Sequence, residues 1–275
     1  MYVLGITGPS ESGKTLLVER LLDSLDGQIA TIKHCTHQPD IDTEQKDTAR
    51  HRDAGATTTY GLADEHGWFA TGETRSLNET LDELAPSYDY ALVEGFHWAS
   101  IPHVELGSRE GNGKTLMRAS HGDSVDVKKL TELLHDTEPY ITLSSLVHRI
   151  KQSTKSEYSG AIATFTGRVR RLDGPEDSPT EHLTFEKYED VAEHRLTELC
   201  SELESRDGVY RVLAHHKTGT IPAEDDIVYV VVLAGHRREA FDTVEDGIDR
   251  LKEEVPIFKK EITVDDEFWR HDTPS

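Results

Sequence analysis

The sequence predicts an α/β domain with a mainly parallel sheet, followed by an α+β domain. Three observations carry that expectation. An apolar strand at the amino terminus runs into a glycine-rich loop and then a leucine-rich helix. Strands and helices alternate through the first half, as they do over a parallel sheet. In the second half several strands are interspersed with amphipathic helices that can cover one face.

Residues 1–6 form the first apolar strand, and leucines at 16, 17, 21, 22 and 25 give the next segment a helical period. Residues 28–33 and 88–93 read as further strands, the latter ending at Glu94-Gly95, and 101–106 as another. Polar, charged residues 120–139 surround a short helical pattern at 127–134 and mark the boundary, so the domains are expected at 1–136 and 137–275. Beyond it, 160–169 alternates as a strand, 172–180 is a polar loop and 183–188 a strand. A helix at 190–203, strands at 209–216 and 227–234, and a helix at 239–254 follow. Pro256 stops that last helix, because it has no N–H to continue the ladder. Ile257 and Phe258 are expected to bury the next step and hold Lys259 in place.

The chain has 275 residues, with 52 acidic against 30 basic and a formal net charge of −22. That balance argues against a nucleic-acid coat, which needs a positive surface to release counterions. The acids are spread along the chain, a pattern suited to concentrated salt, where the Debye length falls to roughly 3 Å at 1 M. Two cysteines, Cys35 and Cys200, support neither a zinc ribbon nor a disulfide framework. The first residues carry no basic leader and the chain no long apolar run, so a cytoplasmic protein with no membrane span is expected.

Gly8-Pro9-Ser10-Glu11-Ser12-Gly13-Lys14-Thr15 fits G-x-x-x-x-G-K-[ST] between a strand and a helix, the context that a phosphate-binding P-loop requires. The first domain is therefore expected to be P-loop NTPase-like. Backbone N–H groups of Gly8, Ser10, Ser12 and Gly13 would wrap a phosphate at a helix N-terminus. Lys14 would neutralise the outer phosphates and the Thr15 hydroxyl would ligate Mg²⁺. Glu94, at a strand end, is placed to meet that Mg²⁺ or its water. Gly113-Lys114-Thr115 repeats the GKT letters, but Ser108 stands where the leading glycine belongs, so it reads as a turn. No guanine-reading Asn-Lys-x-Asp motif is visible.

Further along come Ile32-Lys33-His34-Cys35-Thr36-His37, then Lys46-Asp47-Thr48-Ala49-Arg50 with Ala54-Gly55-Ala56, and Leu92-Val93-Glu94-Gly95-Phe96. With the P-loop, these segments resemble the adapter protein of molybdopterin guanine dinucleotide biosynthesis, the MobB type, over residues 1 to about 118. Gln45 departs from that pattern, which usually has glycine there. The resemblance implies GTP with Mg²⁺ as ligand, at most slow hydrolysis, and a contribution to guanine dinucleotide cofactor formation. His34, His37 and Asp42 are metal ligands by residue type and equally ordinary surface groups.

Positive charge in the second half is clustered: Arg168, Arg170 and Arg171; His215, His216 and Lys217; His236, Arg237 and Arg238; Lys252, Lys259 and Lys260. Several of these lie where strands run out into loops, and together they suit a phosphate-bearing, anionic substrate. Gly160-Ala161-Ile162-Ala163-Thr164-Phe165-Thr166-Gly167-Arg168-Val169-Arg170 resembles the opening of the molybdopterin synthase catalytic (large) subunit. Phe185-Glu186-Lys187-Tyr188, His216-Lys217-Thr218-Gly219, Gly235-His236-Arg237, and Leu251-Lys252 with Val255-Pro256-Ile257-Phe258-Lys259-Lys260 agree in order, over about 138 to 270. Lys217 and Val191 depart from the usual arginine and methionine.

That resemblance implies an α+β domain of the large-subunit type. It also implies a reaction in which a cyclic pyranopterin monophosphate receives two sulfurs to become molybdopterin. The sulfur would arrive as a thiocarboxylate on the C-terminal Gly-Gly of a ubiquitin-like small subunit. Lys252 and Lys259 would be catalytic, with Arg170, His236 and Arg237 holding the substrate. A homodimer through this domain is implied, and the cofactor guanylyltransferase is a candidate partner of the fusion; neither nucleic acid nor membrane is. A P-loop NTPase or kinase with a regulatory second half, and a non-enzymatic assembly scaffold, are the competing readings.

Overall fold

The computed structural model describes residues 1–37, 46–172, 174, 178–187, 189–263 and 267–270, with backbone alone at 187, 189, 190, 261 and 267–270. The chain divides into two compact units, Met1–Tyr140 and Ile141–Ser275, a few residues beyond the expected boundary. Tyr140 stays with the first unit because its N–H donates to the Met1 carbonyl at 2.8 Å.

In the first unit, β1 (Tyr2–Thr7), α1 (Lys14–Ser24), β2 (Ile29–Lys33), α2 (Asp47–Asp53), β3 (Thr58–Ala63), β4 (Gly67–Gly72) and α3 (Leu77–Leu84) follow in order. Then come β5 (Tyr90–Glu94), β6 (His103–Leu106), β7 (Thr115–Ala119) and α4 (Val127–His135). The main sheet is wholly parallel, in the order β2-β5-β1-β6-β7. Alternation along β1 sends Leu4 and Ile6 to one face, against Leu17 and Leu21 of α1 and Leu130 and Leu134 of α4. Val3 faces the other way, with Ala91, Val93 and Leu81 of α3. Both faces are covered, as parallel sheets require.

The link from β6 to β7 is short for a parallel crossover, residues 107–114 where a dozen or more are usual. A buried polar cluster holds it. The Glu105 carboxylate, 4 % exposed, accepts from the Gly111 N–H at 3.2 Å, the Thr115 hydroxyl at 3.1 Å and Arg118 Nε at 2.5 Å. His103 Nε2 lies 3.1 Å from the same carboxylate. Burial alone would raise this carboxyl's pKa, but the hydrogen bonds from Arg118, His103, Gly111 and Thr115 outweigh it and bring the value down to about 2. The Gly-Lys-Thr decoy belongs to this link, and Thr115 itself opens β7.

The second unit contains α5 (Leu143–Lys151), β8 (Ala161–Arg168), β9 (Thr180–Lys187), α6 (Glu189–Glu204), β10 (Val209–His216) and β11 (Gly219–Pro222). It continues with β12 (Asp226–Ala234), α7 (Arg237–Glu254), β13 (Ile257–Thr263) and β14 (Glu267–Arg270). One antiparallel sheet runs β10-β12-β8 and a second β11-β9-β13-β14. Central β12 is buried from Val228 to Ala234. Val228, Val230 and Val232 pack among α6 and α7, while Tyr229, Val231 and Leu233 meet Leu146 and Ile150 of α5. Helix α7 buries Ala240, Thr243, Gly247, Ile248 and Leu251, a stripe at helical spacing. Gly247 lets it approach closely, because an added Cβ would stand 3.2 Å from Val230.

Helix α7 ends at Glu254, ahead of Pro256, but Phe258 departs from expectation. On β13, Lys259 pairs with Phe185 of β9, and Phe185 belongs to the buried cluster with Leu183. Alternation then turns Phe258 to the opposite face, where it is 38 % exposed. Among the described residues no helix is long and apolar enough to cross a membrane.

Candidate functional site

In the first unit the site forms at the carboxyl edge of the parallel sheet, where loops from adjacent strands converge. Gly13 has φ +79° and serves as the N-cap of α1, a left-handed conformation that glycine adopts without strain. A Cβ on Gly8 would lie 2.9 Å from the Leu106 carbonyl, so the loop lies close against β6. The buried Ser12 hydroxyl donates to the Pro9 carbonyl at 3.0 Å and staples the loop shut. Ser10 is exposed. Lys14 Nζ donates to the carbonyls of Gly8 at 3.1 Å and Pro9 at 2.6 Å, so its ammonium is held at the loop.

The Thr15 hydroxyl donates to Glu94 Oε2 at 3.3 Å. Helix α1 and strand β5 thereby bring together two groups far apart in the chain. Lys33 was missed as a site residue. It ends β2 directly opposite Glu94, and its Nζ lies 3.3 Å from Glu94 Oε1. The Ile-Lys-His segment contained it, but only strand register reveals the pairing.

His34 packs its ring against Phe96 and Trp98, with centroids 5.2 and 4.8 Å away. His37 is exposed, and Asp42 lies outside the described residues. Among the described residues no cluster of three or more histidine, cysteine or acidic groups could hold a metal. Thr15 with Glu94 is the chemically fitting pair for a Mg²⁺ accompanying a nucleotide, since both offer hard oxygen ligands.

In the second unit, strand direction sorts the clustered cations. Antiparallel pairing puts the end of β8, with Arg168 and Arg170, and the end of β10, with His215, His216 and Lys217, beside the start of β12. Helix α7 runs back along β12 and delivers Lys252, exposed, toward that same end. Lys259, half-buried, lies opposite Phe185, whose ring meets the His216 ring edge-on at 4.8 Å. Arg170 is exposed. Lys217 Nζ lies 5.6 Å from the Tyr229 ring centroid, within cation–π reach. Arg168 Nε is 3.4 Å from Asp226, which assigns it to the sheet edge.

His236 and Arg237 stand apart. They follow the far end of β12, with His236 as N-cap and Arg237 as first residue of α7. At 1.5 Å rise per residue, Arg237 and Lys252 are about 22 Å apart along the helix. A single chain does not gather all five expected residues into one pocket.

Residues 3–151 match the family described as "Molybdopterin guanine dinucleotide synthesis protein B" (MobB), and residues 138–254 match "MoaE protein", the two matches overlapping across the boundary between the units. A "Probable molybdopterin synthase" of Haloferax volcanii is 48 % identical over 272 residues, covering 99 % of this chain and 100 % of that protein. The chain belongs to this family of MobB–MoaE fusions. The family serves molybdenum cofactor biosynthesis, and the chain carries its molybdopterin synthase module. The Staphylococcus aureus molybdopterin synthase crystal structure is 33 % identical over 47 % of this chain and 90 % of its own, with a TM-score of 0.42. Bacillus subtilis MobB is 22 % identical over 50 % of this chain and 100 % of its own, with a TM-score of 0.38. The MobB–MoaE assignment accounts for both the P-loop and the lysine pair, which neither a regulated kinase nor a scaffold requires together.

Proposed function

We propose that the second unit converts cyclic pyranopterin monophosphate to molybdopterin. Two sulfurs come from the C-terminal thiocarboxylate of a ubiquitin-like small subunit. The observation that carries this reading is the set of cations around one end of the β10-β12-β8 sheet in a strongly acidic chain: Arg170, His216 and Lys217 beside the start of β12, Lys252 on the last turn of α7, and Lys259 on the second sheet opposite Phe185, whose ring meets His216. Thiocarboxylate and phosphate are both anions, and converging cations are what they need. Lys252, on the last turn of α7, serves as acid/base or as electrostatic partner of the acyl group. Lys259, fixed by β-sheet pairing, orients the small-subunit tail or stabilises developing negative charge.

Arg237 and His236 complete the anion site from a second copy, because α7 separates them from Lys252 within one chain. This supports a homodimer through the second unit. The decisive experiment supplies cyclic pyranopterin monophosphate and thiocarboxylated small subunit, and measures molybdopterin. Wild type forms it without nucleotide, and Lys252→Ala does not. Near-normal turnover by Lys252→Ala rejects the catalytic assignment.

The first unit binds GTP with Mg²⁺ and assists guanine dinucleotide cofactor formation, with the guanylyltransferase as partner. Gly8, Ser10, Ser12, Gly13 and Lys14 hold the phosphates, and Thr15 and Glu94 the metal, the fit resting on the Thr15–Glu94 pair at 3.3 Å. Bound phosphate offers Lys14 a stronger partner than the two carbonyls it now contacts.

A further inference from the structure

The loop after β7 lies directly against the P-loop, and sequence patterning had marked it only as part of a domain boundary. The Gly122 N–H donates to the Ser12 carbonyl at 2.9 Å. A Cβ on Gly122 would stand 2.0 Å from the Gly13 carbonyl oxygen, and one on Gly13 would stand 2.6 Å from the His121 ring. The two glycines therefore permit backbone contact that no other residue would. Arg20 of α1 clamps the loop from beneath, donating to the carbonyls of Gly122 at 2.6 Å, Asp123 at 3.1 Å and Val125 at 3.0 Å. Three carbonyl bonds from one guanidinium fix a short loop in one conformation. The sulfur-transfer chemistry of the second unit uses none of this.

The titratable side chains this loop presents are His121 and Asp123, with side-chain exposures of 42 % and 68 %. His121 Nδ1 lies 2.9 Å from Asp123 Oδ1, so the carboxylate is held in place. The hydrogen bond from His121 keeps this carboxyl below the usual aspartate range. The strand order then gives a nucleotide a direction. Thr15 and Glu94 meet on the β5 side of β1, so a metal held by them would draw the outer phosphates of a nucleotide that way. A nucleoside bound in that orientation would leave the P-loop on the other side, toward β6, β7 and this loop.

We propose that residues 120–124 form the base-recognition loop of the first unit, with Asp123 reading the Watson–Crick edge of guanine and His121 positioning it. The proposal rests on the nucleotide-binding reading of the P-loop and deepens it. Guanine presents two adjacent donors, N1–H and the exocyclic N2 amine, which one carboxylate can accept together. Adenine presents a single exocyclic donor beside the N1 lone pair, which repels a carboxylate. The site therefore prefers guanine although no Asn-Lys-x-Asp motif occurs. Its selectivity comes from a loop after the last strand of the sheet.

The test is equilibrium binding of fluorescent GTP, ATP and xanthosine triphosphate to the full chain with Mg²⁺, in wild type, Asp123→Asn and Lys14→Ala. Asn is isosteric with Asp, and position 123 is exposed, so the fold survives. Wild type favours GTP over ATP. Asp123→Asn weakens GTP about tenfold or more, as loss of hydrogen bonds to a charged group should. It also gains affinity for xanthosine triphosphate, whose C2 carbonyl accepts from the new amide. Lys14→Ala weakens all three without changing their ratios. Unchanged GTP, ATP and xanthosine triphosphate affinities in Asp123→Asn overturn the base-loop assignment while leaving the P-loop reading intact. Failure of wild type to bind any triphosphate overturns both.

Discussion

The two units assemble their sites in opposite ways. In the first, parallel strands deliver every relevant loop to one edge, so Lys14, Thr15, Lys33 and Glu94 meet within a single copy. In the second, antiparallel strands alternate direction, and the residues following β12 emerge at the far end from those following β8 and β10. His236 and Arg237 are thus parted from Lys252 by the full length of α7. Parallel topology makes a site self-sufficient. Antiparallel topology divides the same kind of residues between two ends of one copy, which is the reason a second copy is proposed to complete the site.

The sharpest way to break this contrast is at Lys252. Lys252→Ala should lower molybdopterin formation by about 10²-fold or more, the scale expected for an acid/base or electrostatic group. Its melting temperature should not move, because the side chain is exposed. The P-loop counterpart, Lys14→Ala, should weaken nucleotide binding and leave molybdopterin formation at its wild-type rate. An equal loss of both activities would mean that the two units do not work separately.

Complementation tests the divided site. Arg237→Ala and Lys252→Ala should each be inactive as homodimers. Mixed and allowed to exchange, they should regain about one quarter of wild-type activity, since half the dimers are mixed and each of those has one intact site. No recovery, in a sample shown by mass measurement to contain mixed dimers, would place both residues in a single-copy site.

A smaller effect concerns the short β6–β7 link. Glu105 is held down to about 2 from an ordinary 4.5. Its ionised form therefore stabilises the first unit fully above pH 4.5, and that contribution is lost as pH falls through about 2. Glu105→Gln should flatten the stability–pH slope in that acid window, read by thermal melts across the range.

The smallest effect is expected at Glu254. It accepts from Arg250 Nε at 2.7 Å and pairs with Arg195 of α6, steadying the last turn of α7 beside Lys252. These groups are only partly buried, so Glu254→Gln should cost about 1 kcal/mol or less in denaturant melts. A larger loss would mark α6–α7 pairing as central to the second unit.

Much of this was legible along the chain. The P-loop letters, the leucine period of α1, the alternation of β8, the buried run of β12 and the Pro256 stop each reflect local rules of period and backbone chemistry. The β3–β4 hairpin, α2, α3, α5, β7, β11 and β13 were not anticipated. They are short, and their stability comes from neighbours rather than local pattern. Thr115, for example, opens β7 while its hydroxyl meets Glu105 across the crossover.

The sequence by itself determined the two modules, the phosphate loop and the identity of the clustered cations, because these depend on residue type and spacing. Tertiary structure alone decided which of them meet. Lys33 faces Glu94 through parallel register, and Phe258 turns outward through β alternation. Gly122 and His121 meet the P-loop because the loop after β7, two strands from β1, folds back onto Ser12 and Gly13. Lys252 and Arg237 lie apart because a helix has fixed rise. Spacing along a chain sets which groups exist, whereas strand direction and order set the distances between them.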